Sequence, residues 1–261
     1  MTSARPVVGL IPAAGQASRM GGLPFSKELY PVDVSDDPDI QKPRPVIEFV
    51  LDDMRRNGID RIFVVVRDGK WDIPRYLGDG SRFSLSIAYL MMGRPFGVPF
   101  SLDQGYDYVH DQLVALGFPD ILVGSPDAFG LCLAEQEQTG ADIVVGSLPT
   151  DFPQGVDMLE MAADNKVAKF VIKPQSTTLT HAWPLAVWTP AFTSFLHEFL
   201  RGKNEPPGSG KELQIADVFN AAIGAGLDVR AVPISNHPFV DIGTPGGLAR
   251  FTEQRQRLLS A

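Results

Sequence analysis

Apolar residues along the 261-residue chain fall into two rhythms. Short unbroken runs such as Val7-Val8-Gly9-Leu10-Ile11 read as strands buried on both faces, because a half-exposed strand would alternate apolar and polar positions. Longer stretches with apolar residues three and four apart read as helices with one buried stripe. The segment PVIEFVLDDMRRN (45–57) spaces Val46, Phe49, Val50 and Met54 along one helical face, with Pro45 near the first turn and Gly58 past the end. By the same reasoning strands are expected at 61–66, 85–92, 112–118, 142–148, 167–172 and 186–188, and helices at 102–110, 126–138, 191–200, 213–225 and 245–259. Strands and helices that alternate for most of the length imply a sheet layered between helices, the α/β class. The length suits one large domain, and neither an internal repeat nor a low-complexity tract divides it.

Composition narrows the setting. Charged residues are 21% and apolar ones 44% of the chain, too apolar for a disordered protein. No run approaches the roughly 18 apolar residues that cross a bilayer, and MTSARPVVGL passes straight into a strand without an export signal. A cytoplasmic protein with no membrane partner is therefore expected. The net charge of −8 argues against a general nucleic-acid binder, so cations for any polyphosphate must be concentrated locally. Cys132 is the single cysteine, which excludes an internal disulfide and a cysteine zinc cluster and leaves it as a small core residue on a helix face. His110, His181, His197 and His237 have no metal-ligand spacing.

The chemistry concentrates in GLIPAAGQASRMGGLPFSKELYPV, residues 9–32. Ala13, Ala14 and Gly15, directly after a buried strand, let the backbone approach a ligand and turn N–H groups toward phosphate oxygens. Arg19 and Lys27 follow in a stretch that Gly21, Gly22 and Pro24 keep from becoming a long helix, so guanidinium and ammonium can grip a polyphosphate from different sides. An ordinary strand-to-loop turn with two surface cations would contain the same residues. Other phosphate signatures fail: GSGK (208–211) has Glu205 and Glu212 where a P-loop needs glycine and a hydroxyl, and the first loop does not spell GxGxxG.

Taken with GFPD (117–120), VIKP (171–174), KELQIADVF (211–219) and VDIGTP (240–245), that loop resembles the sugar-1-phosphate nucleotidyltransferase family, with the motifs in the family's order from about Val7 to Leu248. The resemblance implies one three-layer α/β/α Rossmann-like domain over 1–261 with a mixed, mostly parallel central sheet, its part up to about 125 binding nucleotide and its part from about 126 binding the acceptor. It implies a magnesium-dependent transfer between a nucleoside triphosphate and a sugar-1-phosphate that gives a nucleotide-sugar and pyrophosphate. By resemblance Asp120 and Asp241 are the metal ligands, Arg19 faces the β and γ phosphates, Lys27 the phosphate under attack, and Lys173 the acceptor's phosphate. Ala13, Ala14, Gly15, Met92 and Gly97 line the nucleotide, and Asp157, Lys173, Trp183, Lys211 and Glu212 the acceptor. A turn role for Asp120 and a capping role for Asp241 are the ordinary readings of each alone. The family often forms homo-oligomers, and some relatives carry a long carboxyl-terminal extension that is not expected here.

Several positions depart from the family pattern where substrates are read. Ala17 replaces the loop's second glycine, and Arg44-Pro45 replaces a Lys-Pro pair, with Lys42-Pro43 competing for that place. Met92 stands where the family has a base-reading glutamine and cannot make an amide's paired hydrogen bonds; Gly97-Val98-Pro99 replaces Gly-Leu-Ala. Ile172 replaces a glutamate, Asp157 a glycine, and Trp183 and Trp188 flank the segment that closes over a sugar, as an aromatic wall or as core. These changes keep open a cytidylyltransferase acting on a phospho-alcohol, and a non-catalytic nucleotide-binding regulatory domain.

Overall fold

The computed structural model describes residues 6–15, 22–34, 43–93, 97–201, 203 and 212–259. In chain order its elements are β1 (Val7–Pro12), β2 (Pro31–Val34), β3 (Pro43–Pro45), α1 (Ile47–Arg56), β4 (Arg61–Arg67), α2 (Asp72–Leu77), β5 (Ser86–Met92), α3 (Val98–Asp103), α4 (Tyr106–Val109), β6 (Leu113–Gly117) and β7 (Ile121–Leu122). There follow α5 (Ala128–Thr139), β8 (Ile143–Pro149), β9 (Met158–Met161), β10 (Val167–Val171), β11 (His181–Ala182), β12 (Leu185–Trp188), α6 (Pro190–Leu200), α7 (Ile215–Gly224), β13 (Val229–Pro233), β14 (Val240–Asp241) and α8 (Pro245–Leu259).

The unbroken apolar runs become the middle of one mixed sheet, ordered β10-β9-β11-β8-β12-β6-β1-β4-β5 with β13 beside β8. Strands β6, β1, β4 and β5 are mutually parallel, β13 is parallel to β8, and β12 runs antiparallel between β6 and β8. Both faces are covered, which is why these strands carry no polar alternation. Val8, Leu10, Val65 and Val114 face a core filled by α3, α4, α6 and α7. Ile11, Ile62, Val64 and Val66 face another core, filled by α1, α2 and α5. This is the expected layered α/β architecture. A third, small core joins Val32, Val46, Leu122, Val240, Ile242 and Phe251, binding α8 and the β7–β14 ribbon to the rest of the fold.

The helix expected at 102–110 is two short ones, α3 and α4, broken around Gly105, a residue with low helix propensity. Position 172 is not in a strand, since β10 ends at Val171. Cys132 is fully buried, and burial pushes its thiol up, out of any reactive range. No helix among the described residues is long and apolar enough to cross a membrane.

Candidate active site

Parallel strands present their carboxyl ends on one edge of the sheet, and in open α/β sheets that edge takes the ligand. Beyond β1 lie Ala13 and Ala14, both fully buried, and Gly15, which is exposed to open space. Beyond β6 lies Asp120, and the chain then turns into β7. Strand β7 pairs antiparallel with β14, setting Leu122 opposite Val240 and Ile121 opposite Asp241. The Ile242 N–H donates to the Asp120 carbonyl at 2.9 Å, which closes the ribbon beside both aspartates.

That ribbon brings together two carboxylates and a lysine. The point that a Cβ on Gly243 would occupy lies within 3.0 Å of Asp120 Oδ2, Lys27 Nζ and Asp241 Oδ1. The two oxygens are therefore no more than about 6 Å apart, on the scale of a cation's coordination shell. Lys27 Nζ donates to Asp120 Oδ2 in an ion pair, and the Gly243 N–H donates to Asp241 Oδ1 at 2.7 Å. Burial opposes the charge on Lys27, but Asp120, then Glu28 and Asp241, overcome it, so its ammonium is held above the ordinary lysine range.

Lys27 arrives on a single 3-10 turn, Lys27–Leu29. Ser26 before it gives both its N–H and its hydroxyl to the Asp72 carboxylate, each at 2.6 Å. Glu28 after it pairs with Lys70 at 2.6 Å, with side-chain exposures of only 1% and 4%. Burial pushes the Glu28 carboxyl up and the Lys70 ammonium down, each against the pull of its partner. Ser26, Glu28, Lys70, Asp72 and Gly243 are absent from the sequence-derived site. The available signal was the charged DGKWD (68–72) directly after a strand's carboxyl end, where ligand-facing residues gather.

Three of the residues assigned to an acceptor, Asp157, Lys173 and Trp183, lie at one end of the antiparallel strands. Met158 pairs with both Val171 and Ala182, so Asp157, Ile172 and Trp183 are chain neighbours of three mutually aligned residues. Lys173 is exposed, on the turn after β10, with φ of 40°. That left-handed conformation costs a lysine about 1 kcal/mol, strain of the kind that collects at functional turns. Trp183 is packed rather than displayed: it is 6% exposed, edge-on to Phe118, Phe170 and Phe219, and its buried indole N–H has no hydrogen-bond partner among the described residues. Trp188 is core, 1% exposed, with its indole N–H donating to Thr193 at 2.9 Å.

Other assigned residues separate. Met92 turns inward, 4% exposed, where its sulfur accepts from the Ser101 hydroxyl at 3.3 Å; its side chain is core and not a displayed wall. Gly97 caps α3 with φ of 114° and lies against Glu212 and the Leu213 carbonyl, so the structure sets Glu212 beside a residue assigned to the nucleotide. Arg44 is spent on the structure, pairing with Asp52 and Glu48 and lying 3.9 Å over the Phe49 ring. Arg19 and Lys211 lie outside the described residues.

No group of three or more metal-binding side chains occurs among the described residues. Two carboxylates around a cradle that a single Cβ would fill do fit a hard cation that completes its shell with water and phosphate oxygens. Lys27 beside them adds a charge suited to a phosphate.

Comparison with known proteins bears on the family and the fold. A glucose-1-phosphate thymidylyltransferase of Streptomyces antibioticus is 25% identical over 87% of this chain and 60% of its own length. A UTP–glucose-1-phosphate uridylyltransferase of Synechocystis sp. is 24% identical over 90% of this chain and 59% of its own. The chain thus spans about 60% of the length of these curated relatives. A solved structure from Bacillus anthracis, described as a candidate glucose-1-phosphate thymidylyltransferase in complex with a sucrose, superposes with a TM-score of 0.77 at 20% identity, covering 94% of this chain and 93% of that one, and so shares the fold. The nucleotidyl transferase family matches residues 8–257, nearly the whole sequence, and the chain belongs to that family.

Proposed function

We propose that this protein is a sugar-1-phosphate nucleotidyltransferase. The observation that carries the reading is the meeting of Asp120, Asp241 and Lys27 around Gly243 at the carboxyl edge of the sheet. Sugar-1-phosphate specificity is supported by the names of the relatives, which act on glucose-1-phosphate. A sugar-1-phosphate is largely dianionic near neutral pH, so its oxygen attacks the α-phosphorus of a nucleoside triphosphate without a general base. The bond to the β-phosphate breaks and pyrophosphate leaves with the electron pair.

The protein's task is then alignment and charge neutralisation. Lys27 would contact the phosphate under attack, Arg19 the departing pyrophosphate, and Lys173, exposed on its strained turn, the acceptor's phosphate. Asp120 and Asp241 would hold a magnesium ion, which when bound neutralises phosphate charge as it develops. Ala13 to Gly15 and Gly97 would border the nucleotide, with Asp157 and the Trp183 N–H near the acceptor.

Pyrophosphate release across a matrix of triphosphates and phosphorylated acceptors, with and without magnesium, tests the reading. Release is expected for at least one triphosphate with a sugar-1-phosphate, only with the metal, and Asp120→Asn should reduce it by at least about 1,000-fold. Turnover only with CTP and a phospho-alcohol would replace the acceptor class, and triphosphate binding with silence everywhere would make the chain a regulatory domain.

A further inference from the structure

Two side chains beyond β4 grip the residues on either side of Lys27. Asp72 accepts both the backbone N–H and the hydroxyl of Ser26 at 2.6 Å, and Lys70 donates to Glu28 at 2.6 Å. Between these anchors the turn has two backbone hydrogen bonds of its own, Leu29 N–H to the Ser26 carbonyl at 2.8 Å and Tyr30 N–H to the Lys27 carbonyl at 3.0 Å. One 3-10 turn with so few internal bonds does not hold its own shape in water. Its geometry is set from outside.

Stability by itself is a poor reason for such anchors. A buried ion pair repays its desolvation only when the remaining lone pairs are also satisfied, and Glu28 Oε2 is buried with no hydrogen-bond partner among the described residues. Apolar residues of similar size would tie the loop to the sheet at lower cost. Directional bonds supply what apolar contact lacks, a fixed position and orientation for the backbone that carries Lys27. The anchors also come from the turn that follows β4 and from the first residue of α2, so the same rigid sheet that presents Asp120 beyond β6 presents the support for Lys27.

We propose that Lys70 and Asp72 are positioning residues, which act on the reaction through Lys27 by clamping Ser26 and Glu28 so that the Lys27 ammonium stays at the Asp120–Asp241 edge. The catalytic part of this inference rests on Lys27 serving nucleotidyl transfer as proposed above; the clamp itself does not.

Two measurements on the full chain separate these. In the first, wild type, Asp72→Asn and Lys70→Met are acylated with acetic anhydride and read by mass spectrometry, with Lys169, exposed on a distant strand, as internal reference. Lys27 should be acylated at least about threefold faster in both variants while Lys169 is unchanged, because loss of an anchor frees the amine from its ion pair. In the second, kcat is measured by single turnover with labelled triphosphate. Asp72→Asn should lower kcat at least about 10-fold in the wild-type background and change it less than about twofold in a Lys27→Met background, since residues that act as one unit are not additive. Unchanged Lys27 labelling overturns the proposal, as does an Asp72→Asn penalty of full size in the absence of Lys27. A wild type that transfers no nucleotide sinks the reading of the reaction and leaves the labelling to judge the clamp.

Discussion

Gly243 decides whether three charged groups can meet. It lies two residues after Asp241, just past the ribbon, and its missing Cβ is the space that Asp120, Asp241 and Lys27 share. Its φ is not in the left-handed region, so alanine is allowed by the backbone and the conflict is with the neighbours alone. Gly243→Ala is expected to lower kcat/KM by about 100-fold, the effect of displacing a reacting group by about 1 Å, while the melting temperature moves by no more than a few degrees. Steady-state kinetics beside a thermal melt checks both, and near-normal kinetics would separate the cradle from the chemistry. Asp120, Asp241 and Lys27 were readable because each sits in a recognisable run of residues. Ser26–Asp72 and Glu28–Lys70 were not, since no periodicity links positions 46 and 42 apart in the sequence.

Helix α1 illustrates how an element's environment outruns its pattern. The expected stripe was Val46, Phe49, Val50 and Met54, but Ile47, Val50, Leu51 and Met54 pack under the sheet, while Val46 and Phe49 join the small core beneath the site. One helix therefore serves two cores, a fact that a single stripe cannot express. Asp53 on this helix is pushed up to about 7, by burial first, with Arg56 opposing and Asp52 adding to the rise. Its unfolded value is the ordinary 3.8, so the folded state binds the extra proton between about pH 4 and 7 and stability falls across that window as pH rises. Asp53→Asn removes the titration. The variant's melting temperature relative to wild type should climb from pH 4 to pH 8 by several degrees, and a difference that stays flat in a pH series of thermal melts would contradict it. Short elements were the hardest to foresee: β7, β11 and β14 have two residues each, too few for alternation to register.

At the scale of the molecule, the sheet separates two large cores and sends its chemistry to one edge. Phe219 sits in the core on the α7 side, fully buried against Phe170, Trp183 and Phe192 at ring distances of 5.1 to 5.2 Å. Phe219→Ala should cost about 3–5 kcal/mol in urea unfolding, through lost burial and the cavity left behind. Triphosphate affinity should hardly change, because that aromatic cluster surrounds Trp183 and not the Lys27 loop. A small stability loss would mean that the aromatic neighbours collapse into the space. The sequence by itself determined the alternation of strands and helices and the sheet buried on both faces, and it singled out the lysine and aspartates of the candidate site, because those follow from local runs of apolar residues and local motifs. Only the tertiary structure decided that Asp241 meets Asp120, that Glu28 finds Lys70, and that Met92 points inward. Those facts depend on backbone hydrogen bonds and close packing between segments distant in the chain, where side-chain rhythm carries no record of the partner.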